Sequence, residues 1–262
     1  MKKEQSLSIF DRQVRKSNDL IQHARFSLNT VQQKIILHLI SQIKQWDQEF
    51  QSYDFNVLDF CRICGIDNDS GRNYTEIKEE IKKLSDKSYW LTLEDGDSEV
   101  LVRWIECAVF RKNSGIIRLR FNEYLKPYLL QLKEKYTEYQ LIYTLHFKSK
   151  YSIRLYELIC SVHFHDLYEY KRTFALDKLK KHLDCEKYTD YRDFRRDVLE
   201  KAIKEINRYS DKTVTYEPIT VGRKVVEIEL TITTKDAKDR IAIEMEIEKE
   251  LGITGTFPVR HL

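Results

Sequence analysis

Glycine and proline are scarce, seven and three among 262 residues. That excludes collagen-like repeats and argues against long flexible linkers. No run approaches the roughly 18 apolar residues a membrane span needs. The opening MKKEQSLSIFDRQVRKSNDL has no apolar stretch of a secretory leader, so a cytoplasmic protein with no membrane contact is expected. The five cysteines are odd in number and irregularly spaced, consistent with reduced thiols. Cys61 and Cys64 have metal-ligand spacing, but no second CxxC or matched histidine pair completes a site. They are expected to pack in a helix core, and no metal or other cofactor is expected. A GxxxxGK[ST] loop is absent, so ATP hydrolysis is not expected. Charge of one sign is also lacking: 45 basic residues face 42 acidic ones, a net +3. Any nucleic-acid surface must therefore come from local segregation of charge.

What is present is apolar and aromatic material: 42% hydrophobic residues, with 16 tyrosines and 12 phenylalanines. That suffices for one large domain or two of about 110–130 residues. Asn29 can cap a helix in which Val31, Ile35, Ile36, Leu39, Ile40 and Ile43 recur at helical spacing. A short strand at 53–55 follows, then a brief helix opened by Asn56 and ended by Gly65. A polar loop, 67–71, leads to a helix with Tyr74, Ile77, Ile81 and Leu84 inward. Strands are expected at 89–93, 100–110 and 116–121, the last two joined by the turn RKNSG. Helix, helix, turn, helix, then hairpin is the winged-helix order.

The order repeats. Residues 152–164 read as a helix, 172–174 as a strand, and Leu176, Leu179 and Leu183 as a brief helix. Then comes YTDYRDFRRDVLEKAIKEINR (188–208), with Phe194, Val198, Ala202, Ile206 and Tyr209 along one stripe. Strands at 213–217 and 224–233 close the pattern around Gly222. Phe55 falls on Phe174, Val57 on Leu176, Phe60 on Leu179 and Cys64 on Leu183, offsets of about 120 residues, as a duplication leaves behind. The join lies in 122–137, with Pro127 in the first turn of a helix. The expected fold class is α+β: two tandem winged-helix domains, 14–135 and 136–235, in a pseudo-twofold relation. A charged helical tail, 236–262, has no assigned role.

The front of the 188–208 helix carries Tyr188, Tyr191, Arg192, Arg195 and Arg196. A recognition helix enters the major groove with its N-terminal residues first. Arginine can bond guanine N7 and O6 together, and tyrosines can reach phosphates. Arg192 and Arg196, four apart, share a face, while Asp193, Asp197 and Glu200 line a neighbouring one. The alternative is an Arg/Asp-laced, solvated helix, and spacing leaves both open. The equivalent set in the first half is Arg72, Asn73, Tyr74, Thr75, Lys78 and Lys82, interleaved with Glu76, Glu79 and Glu80, where more phosphate-directed contacts are expected. The hairpin turns offer Arg111 and Lys112, then Arg223 and Lys224.

FKSKYSIRLYEL (147–158), DFRRDVL (193–199) with AIKEIN (202–207), and VTYE (214–217) followed by GRKV (222–225) resemble hallmarks of the initiator replication proteins of iteron-bearing, theta-replicating plasmids. KSNDLIQHARFSLNTVQQKIILHLISQI, from Lys16, is similar to that family's opening helices. The resemblance spans roughly residues 14–235. It implies binding of directly repeated double-stranded origin sites, strand opening and recruitment of host replication proteins such as an initiator and a helicase. It also implies a monomer that initiates and a homodimer that represses its own promoter. Carried over, DNA reading falls on Arg192, Arg195 and Arg196, with Lys150 and Arg154 on the preceding helix. Arg154 can equally be structural, tying its helix to the interdomain joint. Asp197 stands where that family often has Lys or Arg.

Two readings compete. A duplicated winged-helix transcriptional regulator has the same pattern. His163 and His165 form the His-hydrophobe-His signature of metal-dependent rolling-circle nickases. That pair closes a helix, whereas alternate residues on a strand would be needed to aim both rings at one ion. No catalytic residues are assigned.

Overall fold

The structure, a computed structural model, describes residues 11–66, 70–92, 97–111, 114–163 and 167–251. Strand β1 (Gln13–Ser17) runs into α1 (Asn18–His23), where the Ser17 hydroxyl accepts from the Leu20 N–H at 3.1 Å. Asn29 opens α2 (Thr30–Ile40) as its position predicts. Its side chain accepts from the Gln32 N–H at 2.9 Å, and the Gln32 side chain accepts from the Asn29 N–H at 3.2 Å. This reciprocal box satisfies two amides that a helix end otherwise orphans. β2 (Tyr53–Asn56) then leads through the Asn56 cap into α3 (Val57–Ile63). Gly65 follows at φ +63, the left-handed conformation that a helix terminator needs.

α4 (Ser70–Asp86) buries Ile77, Ile81 and Leu84. After it come β3 (Ser88–Thr92), β4 (Glu99–Arg103), β5 (Ile105–Phe110) and β6 (Ile116–Phe121). The single strand expected at 100–110 is thus two, broken at Trp104, whose ring is buried against Phe26 and Tyr89. β3 and β4 form a separate hairpin, while β5 and β6 form the wing.

The join expected at 122–137 as a helix is instead composite. A 3-10 turn (Glu123–Leu125) precedes α5 (Lys126–Leu129), with Pro127 in its first turn, and Gln131 and Lys135 take positive φ. A strand unforeseen in the sequence follows: β7 (Tyr136–Gln140) pairs antiparallel with β1, Arg15 opposite Glu138. The boundary placed at 135/136 therefore falls where the chain returns to its own first strand.

α6 (Ile142–Leu145) and α7 (Lys150–Ser161) open the second half. Then come β8 (Glu169–Ala175), α8 (Leu176–His182), α9 (Tyr191–Phe194), a π turn (Arg195–Leu199) and α10 (Glu200–Tyr209). β9 (Lys212–Val221) and β10 (Lys224–Thr234) make the second wing, with Gly222 at φ +61. The two three-stranded sheets have the same order, β2-β6-β5 and β8-β10-β9. The duplication expected from core spacing is visible there, and Phe55, Val57, Phe60, Leu176, Leu179 and Leu183 all lie buried. α11 (Ala237–Leu251) packs on α10, where Arg208 meets Glu246 and Glu250, and its Ile247 is buried. One apolar core runs through both halves. Phe194, Val198, Ala202 and Ile206 are fully buried within it, so the opposite face of that helix is held outward.

Candidate nucleic-acid interface

The anchoring stripe of α9–α10 leaves Arg192, Arg195 and Arg196 exposed; the Arg192 side chain is 85% accessible. Asp190 caps the helix by accepting from the Arg192 N–H at 2.6 Å. From Arg195 the helix widens into a π turn, in which the Glu200 N–H donates to the Arg195 carbonyl five residues back. The turn brings residues five apart together, and the Arg195 guanidinium lies 3.3 Å from Glu200. Glu200 also accepts from the Tyr216 hydroxyl on β9 at 3.0 Å, which couples the helix front to the wing.

Each arginine has its own acid. Arg192 lies 3.5 Å from Asp190, and Arg196 lies 2.9 Å from Asp193 and 2.6 Å from Asp197. These carboxylates raise the Arg196 pKa, and the Arg196 and Lys201 hydrogen bonds hold Asp197 down at about 2. The helix front is thus both basic and acid-laced, and a phosphate or base must compete for each guanidinium. Exposed pairs of this kind are weak and yield readily to a polyanion.

The two tyrosines expected there are less free. Tyr188 is half-buried, edge-on to Tyr151 at 6.4 Å. The Tyr191 ring is half-buried against Phe194, and among the described residues no partner reaches its buried hydroxyl. Lys150 is turned inward onto Asp184 at 2.6 Å. Arg154 is 3% exposed. It donates through Nη2 to the carbonyls of His182 at 3.0 Å and Ala24 at 3.1 Å, and lies 4.2 Å above the Phe26 ring. Of the two options for Arg154, these contacts fit the structural one: it joins α8 to the loop after α1 and lies buried.

On α4, Arg72 is exposed but paired with Glu76 at 2.7 Å, and Lys82 is exposed. Lys78 lies 5.0 Å over the ring of Phe110, the last residue of β5. Asn73 is 5% exposed and Tyr74 half-buried. Those two pack beneath the helix, because the α4 stripe that buries Ile77 includes the position four residues before it. Glu80 accepts from Asn29 at 2.7 Å and Gln32 at 3.0 Å, so this acid is spent on holding α2. Arg111, Arg223 and Lys224 are exposed on the wings; Lys112 lies outside the described residues. Cys61 and Cys64 are buried, and desolvation pushes their thiols up to about 11 and 12. The His163 Nε2 lies 3.0 Å from the Leu167 carbonyl, and His165 lies outside the described residues. Among the described residues no three His, Cys, Asp or Glu side chains group as metal ligands.

Residues 13–160 match the family described as Initiator Replication protein, WH1, and residues 175–232 match Initiator Rep protein, WH2. The first match alone covers more than half of the chain. The chain belongs to the initiator replication protein family. The PI protein of Escherichia coli is 30% identical over 156 residues, 52% of this chain and 50% of that protein. A replication initiation protein of Escherichia coli is 32% identical over 113 residues, 42% of this chain and 35% of that protein. The chain therefore matches half or less of the length of these curated relatives. The crystal structure of Pi initiator protein in complex with iteron DNA superimposes with a TM-score of 0.73 at 21% identity, over 87% of this chain and 99% of that one. That likeness establishes the fold as two winged-helix domains.

Within this family member the sequence reading missed two features of the site. The π turn has no composition signal, since RRDVL suits an α-helix equally. The second wing presents Val221, 70% exposed, beside Arg223, and Ile219 near it. An apolar residue directly before a Gly-Arg turn was the available clue.

Proposed function

We propose that this protein is a plasmid replication initiator that binds directly repeated double-stranded sites, iterons, at an origin. The observation that carries this reading is the exposure of Arg192, Arg195 and Arg196 at the front of a winged-helix recognition helix, in a chain of the initiator replication protein family. The iteron-bound Pi structure, which shares the fold, supports it.

In this account the α9–α10 helix inserts its front end into one major groove, with Arg192, Arg195 and Arg196 meeting bases and phosphates. α4 presents Arg72, Lys78 and Lys82 to a neighbouring groove, with Asn73 and Tyr74 supporting from beneath. Arg111 and Lys112 of the first wing, and Arg223 and Lys224 of the second, follow the phosphates. Tyr188, Tyr191 and Lys150 brace the helix front. Two helices in successive grooves give an asymmetric site of roughly 20 bp. Domains at 14–135 and 136–235 act as the two reading heads, and 236–262 is an appendage.

Origin opening follows from binding energy summed over several repeats, with host initiator and helicase recruited to the complex in the cytoplasm. A homodimer of the same chain represses its own promoter. The test joins the coding sequence and its flanking DNA to a marker that lacks an origin. Initiator function predicts stable replication in a suitable host, lost when the three arginines are replaced by alanine. A plain regulator binds the same flank without sustaining replication.

A further inference from the structure

The Arg196 guanidinium is gripped along one edge. Its Nε donates to Asp197 Oδ1 at 3.1 Å and its Nη2 to Asp197 Oδ2 at 2.6 Å, a two-pronged contact. Lys201 holds the same carboxylate from the next turn at 3.1 Å, and Asp197 is the least exposed member of the cluster, at 26%. Arg192 and Arg195 have no such fixture; each meets a single acid at 3.5 and 3.3 Å. A planar guanidinium with five N–H donors, held by one edge, is left with the end-on edge formed by Nη1 and the second Nη2 hydrogen. That edge matches the N7 and O6 acceptors of guanine. Asp193 Oδ1 lies 2.9 Å from the same Nη2.

We propose that Asp197 is a positioning residue that aims Arg196 at a guanine in the repeat, while Asp193 is a displaceable stand-in for the base. The proposal rests on the DNA-binding reading above. It also accounts for acids where phosphates must approach. A carboxylate there repels every duplex equally, and only a sequence that offers N7 and O6 to the pre-aimed fork compensates. Affinity is given up for discrimination. Fixing the fork beforehand also removes the ordering cost that a free arginine pays on binding.

The two acids therefore have opposite expected phenotypes. The full chain is used to select duplexes from a randomised 22-bp library. Binding is then measured to the selected duplex, to the same duplex with each guanine replaced in turn by 7-deazaguanine, and to an unrelated duplex. The wild type is expected to lose about tenfold at one guanine. In Asp197→Ala that penalty shrinks to within about twofold, and binding to the unrelated duplex is equal or tighter because a negative charge has gone. Asp193→Ala keeps the penalty and tightens both duplexes. Asp193 is exposed and Asp197 half-buried, and circular dichroism melts verify that the variants fold. An Asp197→Ala protein that keeps the full penalty, or an Asp193→Ala protein that loses it, overturns the proposal while DNA binding stands. A wild type that selects no sequence overturns both.

Discussion

The ammonium of Lys16 lies 2.6 Å from the carboxylate of Glu157, with both side chains buried and the two residues 141 positions apart in the chain. The Tyr139 hydroxyl donates to the same carboxylate at 2.7 Å. Strands β1 and β7 and helix α7 are thus tied at one buried point. Desolvation lowers the lysine pKa and Glu157 offsets it. Removing one partner leaves the other charge buried alone. Glu157→Ala is expected to cost about 3–5 kcal/mol of stability, whereas the paired change Lys16→Met with Glu157→Leu costs much less. Urea denaturation of the single and double variants checks this; a single variant as stable as the wild type contradicts it.

Arg154 is the second tie. Its buried guanidinium serves two backbone carbonyls, and hydrogen bonds to charged groups contribute about 1.5–3 kcal/mol each before packing on Phe26 is counted. Arg154→Ala should therefore lower stability by several kcal/mol. Where the variant stays folded, the dependence of DNA affinity on salt should be unchanged, since no phosphate contact is lost. A shallower salt slope would restore the DNA-contacting role.

The exposed arginines should behave in the opposite way. Alanine at 192, 195 or 196 is expected to leave the melting temperature within a few degrees of wild type. Each position that contacts a phosphate should reduce the slope of log affinity against log salt by about 0.9. Fluorescence anisotropy at several salt concentrations measures both quantities. A triple variant with wild-type affinity would remove the helix front from the interface.

Two buried histidines predict acid sensitivity. Desolvation holds His38 at about 3, packed between Phe55 and Phe60, and desolvation with Arg154 nearby holds His182 at about 2. Unfolded histidines take up protons below about 6.5, while these two do not in the folded chain. The unfolded state then binds more protons, so stability is full above that pH and declines as pH falls toward 3. Well below 6.5 the two together contribute a slope of about 2.7 kcal/mol per pH unit. Denaturation midpoints between pH 7.5 and 5 test this. His182→Asn should flatten the decline by about half; an unchanged decline assigns it to carboxylates instead.

Much of this architecture was legible because it is written in local chemistry. Asn29, Asn56 and Gly65 mark helix ends by what their side chains or φ values permit, and the structure uses them so. The twin winged helices followed from core positions repeating after about 120 residues. The β1–β7 pairing was not legible, because its partners lie 119 to 127 residues apart in sequence and neither strand has a turn to announce it. In the site, exposure of the three arginines followed from the apolar stripe opposite them. The burial of Arg154 did not, since a lysine or arginine on a helix reads as surface until the carbonyls that receive it are placed. The meeting of Arg195 with Glu200 depended on the π turn, which residue types do not encode.

The most direct test of the account is dimethyl sulfate protection of guanine N7 in the major groove of a bound repeat. Wild-type protein is predicted to protect guanines in two major grooves about one helical turn apart. The Arg192→Ala, Arg195→Ala, Arg196→Ala triple variant should lose protection in one of those grooves and keep it in the other. Protection absent from the major groove, or identical in wild type and variant, would contradict the claim that this helix front enters DNA.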